Sequence, residues 1–308
     1  NHSLTSKHLH LTKGVHIVLP HSKFPLKQAI YFDFPDKRMV FAIPRGKITY
    51  IGTTDTDYSG DKDKILTTKA DVEYLIKGTN HAFPRLNLKA KDVESSWAGV
   101  RPLIHEDGKS ASEISRKDEI FESETGLISI AGGKLTGYRK MAEKVVDRLY
   151  DRLNDEEDLP IVETKTTHID LDNGAFKNAK AVKKYRKTIR EQLEAIGLEK
   201  YYAGYLVSNY GKVTDEIIEG MNAFDSKALH LKLIRSELRY CLENEMVFSI
   251  QDFYIRRTGR LYFDIHSIKP TLEVILKDFQ NHFGWSAEKV LSEKEAMEKA
   301  IEEVSVFG

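Results

Sequence analysis

Residues 128–139 read Ile-Ser-Ile-Ala-Gly-Gly-Lys-Leu-Thr-Gly-Tyr-Arg, passing from strand chemistry to helix chemistry across two adjacent glycines. Leu127, Ile128 and Ile130 suit a buried strand, whereas Met141, Ala142, Val145, Val146 and Leu149 continue at the spacing of a helical face. The reversal therefore falls on Gly132 and Gly133, which lack the Cβ that resists positive φ and holds a ligand away from the backbone. A helix beginning at Lys134 would present unpaired N–H groups and the positive end of its dipole, an anion site in principle. The same pattern also describes an ordinary strand-to-helix turn. In either case a strand must lie next to a helix here.

Upstream, 15–19, 28–34, 38–44 and 47–53 read as four strands, and the short turns between the last three predict an antiparallel meander. Thr68 and Asp71 are spaced as a capping box for a helix that carries Val72, Leu75 and Ile76 on one face and stops at Phe83-Pro84. Residues 95–100, 113–122 and 127–131 predict three more strands, with a polar hairpin at 106–110. Seven strands around one helix imply a single large mixed or antiparallel sheet. Residues 154–174 are acidic and turn-rich, and beyond them the apolar spacing is helical throughout. Pro270 opens one helix, Gly284 closes it, and Ser286 caps the last. The expected fold class is α+β: a sheet domain over 1–153, a linker over 154–174 and an all-α domain over 175–308.

Lys plus Arg and Asp plus Glu both number 47, so no net field argues for nucleic acid, and any anion recognition must be local. One cysteine, Cys241, excludes an intramolecular disulfide and a thiolate metal cluster, consistent with a reducing cytoplasm. It falls in a helical apolar pattern and is expected to be core. No apolar run is long enough to span a membrane, and the polar N-terminus is no secretory signal.

Four stretches together resemble the FAD-dependent glycerol-3-phosphate dehydrogenases in order and spacing: Lys-Gly-Val-His-Ile-Val-Leu-Pro at 13–20, Ile-Gly-Thr-Thr-Asp at 51–55, Gly-Val-Arg-Pro-Leu at 99–103, and Gly-Gly-Lys-Leu-Thr at 132–136 followed by Tyr138-Arg139. Asp-Phe-Tyr-Ile-Arg-Arg-Thr at 252–258 is similar to the C-terminal domain of that family. The resemblance implies that the sheet domain binds substrate and that 127–153 completes part of a flavin-binding domain. It implies oxidation of glycerol 3-phosphate to dihydroxyacetone phosphate, FAD as cofactor and a quinone as acceptor. The family opens with a Gly-x-Gly-x-x-Gly fingerprint that holds the pyrophosphate and adenosine; none occurs here. The chain is thus expected to be the C-terminal part of a longer enzyme, with 1–11 the tail of a preceding region.

For each role the resemblance points to a residue. Arg101, set between Gly99 and Pro102, offers a planar fork to the substrate phosphate, where a lone arginine would otherwise serve a surface ion pair. Lys134 would hold the phosphate or the N1/O2 edge of reduced flavin, with Gly132, Gly133, Leu135 and Thr136 lining the cofactor. His16, within an apolar strand, is the candidate base, or else a satisfied strand histidine. Arg116 is a second phosphate candidate. Thr53, Thr54 and Asp55 line the flavin or substrate side, or simply close a turn. The cationic helix at 177–190 would lie on an anionic membrane or present a solvated face; Arg256-Arg257 would meet sheet-domain acids or a phosphate. Peripheral contact with the inner membrane face and a homodimer stay open. Two readings compete: an α-glycerophosphate oxidase passing electrons to oxygen, whose inserted segment has little room in the 134 − 101 = 33 positions separating lysine from arginine, and a non-catalytic binding module built on the helices.

Overall fold

Val15, Ile17, Val18 and Leu19 have no exposure at all, and the strand they occupy is where one of the two cores begins. The computed structural model describes residues 7–106, 118–158, 160, 162–169 and 176–307. They divide into two compact units, one made of Asn1–Gly14, Asp55–Ile65 and Gly99–Leu171, the other of Val15–Thr54, Leu66–Ala98 and Asp172–Gly308. The architecture is α+β, as expected. The strands are β1 (Lys7–Pro20), β2 (Ile30–Asp33), β3 (Met39–Arg45), β4 (Ile48–Gly52), β5 (Thr56–Asp57), β6 (Ser95–Glu106), β7 (Asp118–Glu122) and β8 (Ile128–Gly132). The helices are α1 (Lys69–Ala82), α2 (Tyr138–Glu157), α3 (Ala179–Ala195), α4 (Tyr201–Tyr210), α5 (Thr214–Gly220), α6 (Leu229–Asn244), α7 (Arg260–Phe263), α8 (Ile268–Phe283) and α9 (Ala287–Ser305).

In the second unit β2, β3 and β4 form the expected antiparallel meander, and β4 continues onto β1 with His16 opposite Gly52 and Ile17 opposite Ile51. Alternation sends Val15, Ile17, Val40, Ala42 and Ile51 to the face covered by Val72, Leu75 and Ile76 of α1. The capping box is present: Asp71 N donates to the Thr68 hydroxyl and Thr68 N to the Asp71 carboxylate, contributing about 1 kcal/mol to the helix start. The helices of the same unit bury a larger cluster that includes Ile189, Leu206, Leu233, Cys241, Phe253, Ile275 and Phe279. Sheet and helices are joined within this unit by Ser95, whose hydroxyl donates to Tyr262 O at 2.7 Å, and by Ser96, which donates to Val304 O at 3.2 Å. Between α6 and α7 the motif at 252–258 forms a π-helix, Asp252–Arg257. Gly284 ends α8 and Ser286 caps α9, as its spacing predicted.

In the first unit β5 pairs antiparallel with Thr12 and Lys13 of β1, and β7 pairs with β8, Ile120 opposite Ile130. Three ion pairs fasten α2 to that hairpin: Lys144 to Asp118 at 2.6 Å, Arg148 to Glu122 at 2.9 Å and Arg152 to Glu122 at 3.2 Å. Among the described residues no side chain of α2 is fully buried, and Val146, Leu149 and Leu153 are 58%, 41% and 43% exposed. The single sheet of seven strands is corrected: β7 and β8 form a sheet of their own, and β5, only two polar residues long, gave no apolar pattern to read. The predicted hairpin at 106–110 and the start of the strand at 113–122 fall largely outside the described residues.

Candidate functional site

Arg101 extends from β6 in the first unit, where the absence of a side chain on Gly14 decides its place: a Cβ there would lie 2.5 Å from its Nη2. Asp55 completes the arrangement, accepting from Nη1 at 3.2 Å, with the two side chains 33% and 40% exposed. The guanidinium is thus oriented by a carboxylate and still reachable from solvent, as a fork intended for an incoming anion has to be.

The glycine turn is in the same unit. Gly132 and Gly133 take φ of +78° and +76°, the left-handed region that L side chains rarely adopt. A Cβ on Gly133 would meet Met141 Sδ at 2.6 Å. Lys134 is extended and exposed, and its carbonyl accepts from Gly137 N at 2.8 Å, closing a 3-10 turn over Leu135–Gly137. The expected helix start at Lys134 is corrected here: α2 begins four residues later at Tyr138, because the chain first makes this tighter turn. Lys134 therefore stands ahead of the α-helix rather than in its first turn. Leu135 is 90% and Tyr138 60% exposed, so the turn offers a cation, peptide N–H groups and an apolar face together.

In the second unit His16 is half-buried in an aromatic cage. Its ring stacks on Trp97 at 4.6 Å and 13°, with Phe41 at 5.5 Å and Tyr50 at 6.4 Å. Gly52, opposite it in register, leaves room for the imidazole, since a Cβ would fall 2.1 Å from Cδ2. Trp97 and Gly14 were not legible as site residues, because each acts by supporting another side chain from a distant strand. Of the Thr-Thr-Asp set, Thr54 is structural, its buried hydroxyl accepting from Val15 N at 3.0 Å, while Asp55 serves Arg101. Arg116 lies outside the described residues. Arg256 and Arg257 pair with Asp252 and Glu245, acids of the helical region itself. The stripe at 182–193 is core, with Ile189 and Leu193 fully buried and the lysines around it exposed.

A buried group that the sequence did not announce sits at the centre of the helices. Glu237, with no exposure, accepts from Arg260 Nη2 at 2.7 Å and from the hydroxyls of Tyr205 and Tyr210 at 2.5 and 2.8 Å. Burial opposes the charge on Arg260, but Tyr205 and Glu237 outweigh it and hold the guanidinium well above its ordinary pKa.

The family profile described as FAD dependent oxidoreductase matches residues 2–139, and that described as the C-terminal domain of alpha-glycerophosphate oxidase matches 164–290. The chain is 43% identical over 309 aligned residues to the aerobic glycerol-3-phosphate dehydrogenase of Bacillus subtilis, covering 99% of this chain and 56% of that protein. The chain belongs to the FAD-dependent glycerol-3-phosphate dehydrogenase family. Its Staphylococcus haemolyticus relative is 45% identical over 307 residues, which make up 55% of that enzyme. The glycerol-3-phosphate dehydrogenase of Bacillus halodurans, solved in complex with FAD, superposes with a TM-score of 0.84 at 39% identity over 100% of this chain and 60% of that one. The 308 residues thus span little more than half the length of the family members they match. No helix among the described residues is long and apolar enough to cross a membrane.

Proposed function

We propose that this chain contributes the substrate-binding sheet, the flavin-edge turn and the helical domain of a FAD-dependent glycerol-3-phosphate dehydrogenase, which oxidises glycerol 3-phosphate to dihydroxyacetone phosphate and passes the electrons to a quinone. The observation carrying this reading is the turn at 132–136, where two left-handed glycines precede an exposed lysine and a 90% exposed leucine. That combination fits a flavin edge: backbone free to approach, a cation for developing negative charge and an apolar surface for the ring. Gly132, Gly133, Lys134, Leu135 and Thr136 would hold FAD, which when bound supplies the two-electron acceptor.

The chain's own residues do the remaining work in this reading. Arg101, steadied by Asp55, clamps the substrate phosphate, with Arg116 as a second phosphate contact. His16, held in its aromatic cage, takes the proton of the hydroxyl at the carbon being oxidised. Lys134 steadies charge at the phosphate or at the N1/O2 edge of the reduced flavin. Contact with the membrane surface and a homodimer belong to the same proposal.

The remaining FAD contacts are assigned to polypeptide beyond these 308 residues, since relatives are nearly twice as long and no Gly-x-Gly-x-x-Gly occurs here. The protein of this length should be colourless and should not reduce a dye acceptor with glycerol 3-phosphate, and joining a dinucleotide-binding segment should restore both colour and turnover. Flavin absorbance surviving gel filtration in stoichiometric amount would overturn the assignment. In the restored enzyme Arg101→Lys should raise KM for glycerol 3-phosphate about tenfold, since a point charge replaces a fork. The match to an oxidase C-terminal domain supports a second reading in which oxygen is the acceptor; oxygen consumption measured against quinone reduction separates the two.

A further inference from the structure

We infer that the second unit carries a binding site for a phosphate monoester, built from the β3–β4 turn, α3, α4 and α7 and separate from every residue assigned to turnover above. These elements enclose a cavity of about 390 Å³. Arg45 enters from the end of β3, Arg186 from α3 and Arg260 from α7, while α4 contributes Tyr201 and Ser208.

The cations on this wall are unequally matched. Lys187 and Arg190, the neighbours of Arg186 on α3, are neutralised by Glu191 and Glu194. Arg186 and Arg45 have no carboxylate within ion-pair distance among the described residues. Arg45 is nevertheless held, its guanidinium lying 3.9 Å from the centre of the Phe263 ring, a stacking that leaves the edge of the fork available. Asp264 is the one carboxylate lining the cavity, and Arg260 Nη1 engages it at 3.4 Å.

Arg260 supplies an independent sign of a missing partner. It is 4% exposed and spends Nη2 on Glu237 and Nη1 on Asp264 and Ser267, yet its buried Nε has no hydrogen-bond partner among the described residues. A buried donor left unpaired costs free energy that a bound acceptor would recover. The ligand class follows from these donors. Two unmatched guanidinium groups suit the two charges of a phosphate monoester near neutral pH better than the single charge of a carboxylate, and planar forks suit its oxygens. Tyr201 and Phe263 offer the body of the ester an aromatic surface. A contiguous groove of about 610 Å³ shares Arg186 and Tyr201 and adds Lys183 and Lys200, which would draw anions towards the cavity.

The shared chemistry fits a soluble phosphate monoester or the head group of a lipid such as phosphatidic acid, and one experiment covers both. Calorimetric titration of the 308-residue protein with phenyl phosphate, and sedimentation with vesicles containing phosphatidic acid, would be compared with the double variant Arg45→Gln/Arg186→Gln and with Arg101→Gln. Both cavity positions are exposed, so the double variant should fold. We expect saturable binding that weakens about a hundredfold in the double variant, roughly tenfold for each guanidinium removed, and that survives Arg101→Gln. Binding of phenyl phosphate would mark the soluble source, and binding of vesicles alone the lipid head group. Absence of both, equal affinity in the double variant, abolished binding in Arg101→Gln, or equally tight binding of the benzoate anion would each overturn the site.

Discussion

Glu237 and Arg260 show at the scale of single residues how much an ion pair owes to its surroundings. Removing two charges from water costs several kcal/mol each, and the pair persists because Tyr205 and Tyr210 also donate to the same carboxylate. Glu237→Gln should therefore lose about 3–5 kcal/mol in denaturant unfolding, most of it the cost of leaving Arg260 buried and unmatched. The further change Arg260→Met should recover part of that loss. Asp92 gives the pH-dependent case: the hydrogen bond from Lys23, at 2.9 Å, holds its carboxyl below the usual carboxylate range. A carboxyl with a depressed folded-state pKa stabilises the fold fully above its unfolded value and loses that contribution as pH falls through the folded value. Asp92→Asn should thus lower stability by about 1 kcal/mol at pH 7, and the gap in Tm should close below roughly pH 3. Neither pair was legible in the sequence. Positions 23 and 92, like 237 and 260, become neighbours only through folding, and charged residues have no periodicity of their own to betray burial.

At the scale of elements, the sequence was most readable where local chemistry decides the outcome. The Thr68–Asp71 box, the Ser286 cap and the Gly284 stop each depend on a few neighbouring residues, and each formed. The start of α2 was hidden because Leu-Thr-Gly can make a 3-10 turn before the helix with no change in apolar spacing. The fourteen-residue length of β1 escaped as well, since its first half is polar and takes its pairing from β5, itself too short to announce a strand. The glycine turn permits a matched pair of tests. Gly133→Ala forces a Cβ into left-handed backbone 2.6 Å from Met141 Sδ and should cost about 1–2 kcal/mol in thermal unfolding. Gly137→Ala, at φ −91° with nothing within 4 Å of the added Cβ, should be neutral. Equal losses at both positions would show that side-chain volume rather than backbone sign governs the turn.

For the whole molecule, the overall charge balance of 47 against 47 correctly removed a global field and in doing so concealed a local one, because Arg45, Arg186 and Arg260 are scattered through the sequence. The boundary at 154–174 stands as a proposal, and limited proteolysis examines it: the first cuts should fall there, since the stretch is acidic and without apolar periodicity. The pieces should nevertheless co-elute in gel filtration, because Ser95 and Ser96 bond the sheet to Tyr262 and Val304 within one unit. First cuts inside α3 would place the boundary elsewhere. The π-helix at Asp252–Arg257 makes the chain's length itself a constraint. Such a turn holds one residue more than an α-helical turn, so deleting a single residue there lets the helix relax to ordinary winding while rotating everything after it by about 100°. Arg260 would swing off Glu237, and the disruption would propagate to Asp264 and the cavity it lines. Family members could then exchange almost any side chain along this stretch more readily than they could change its length by one.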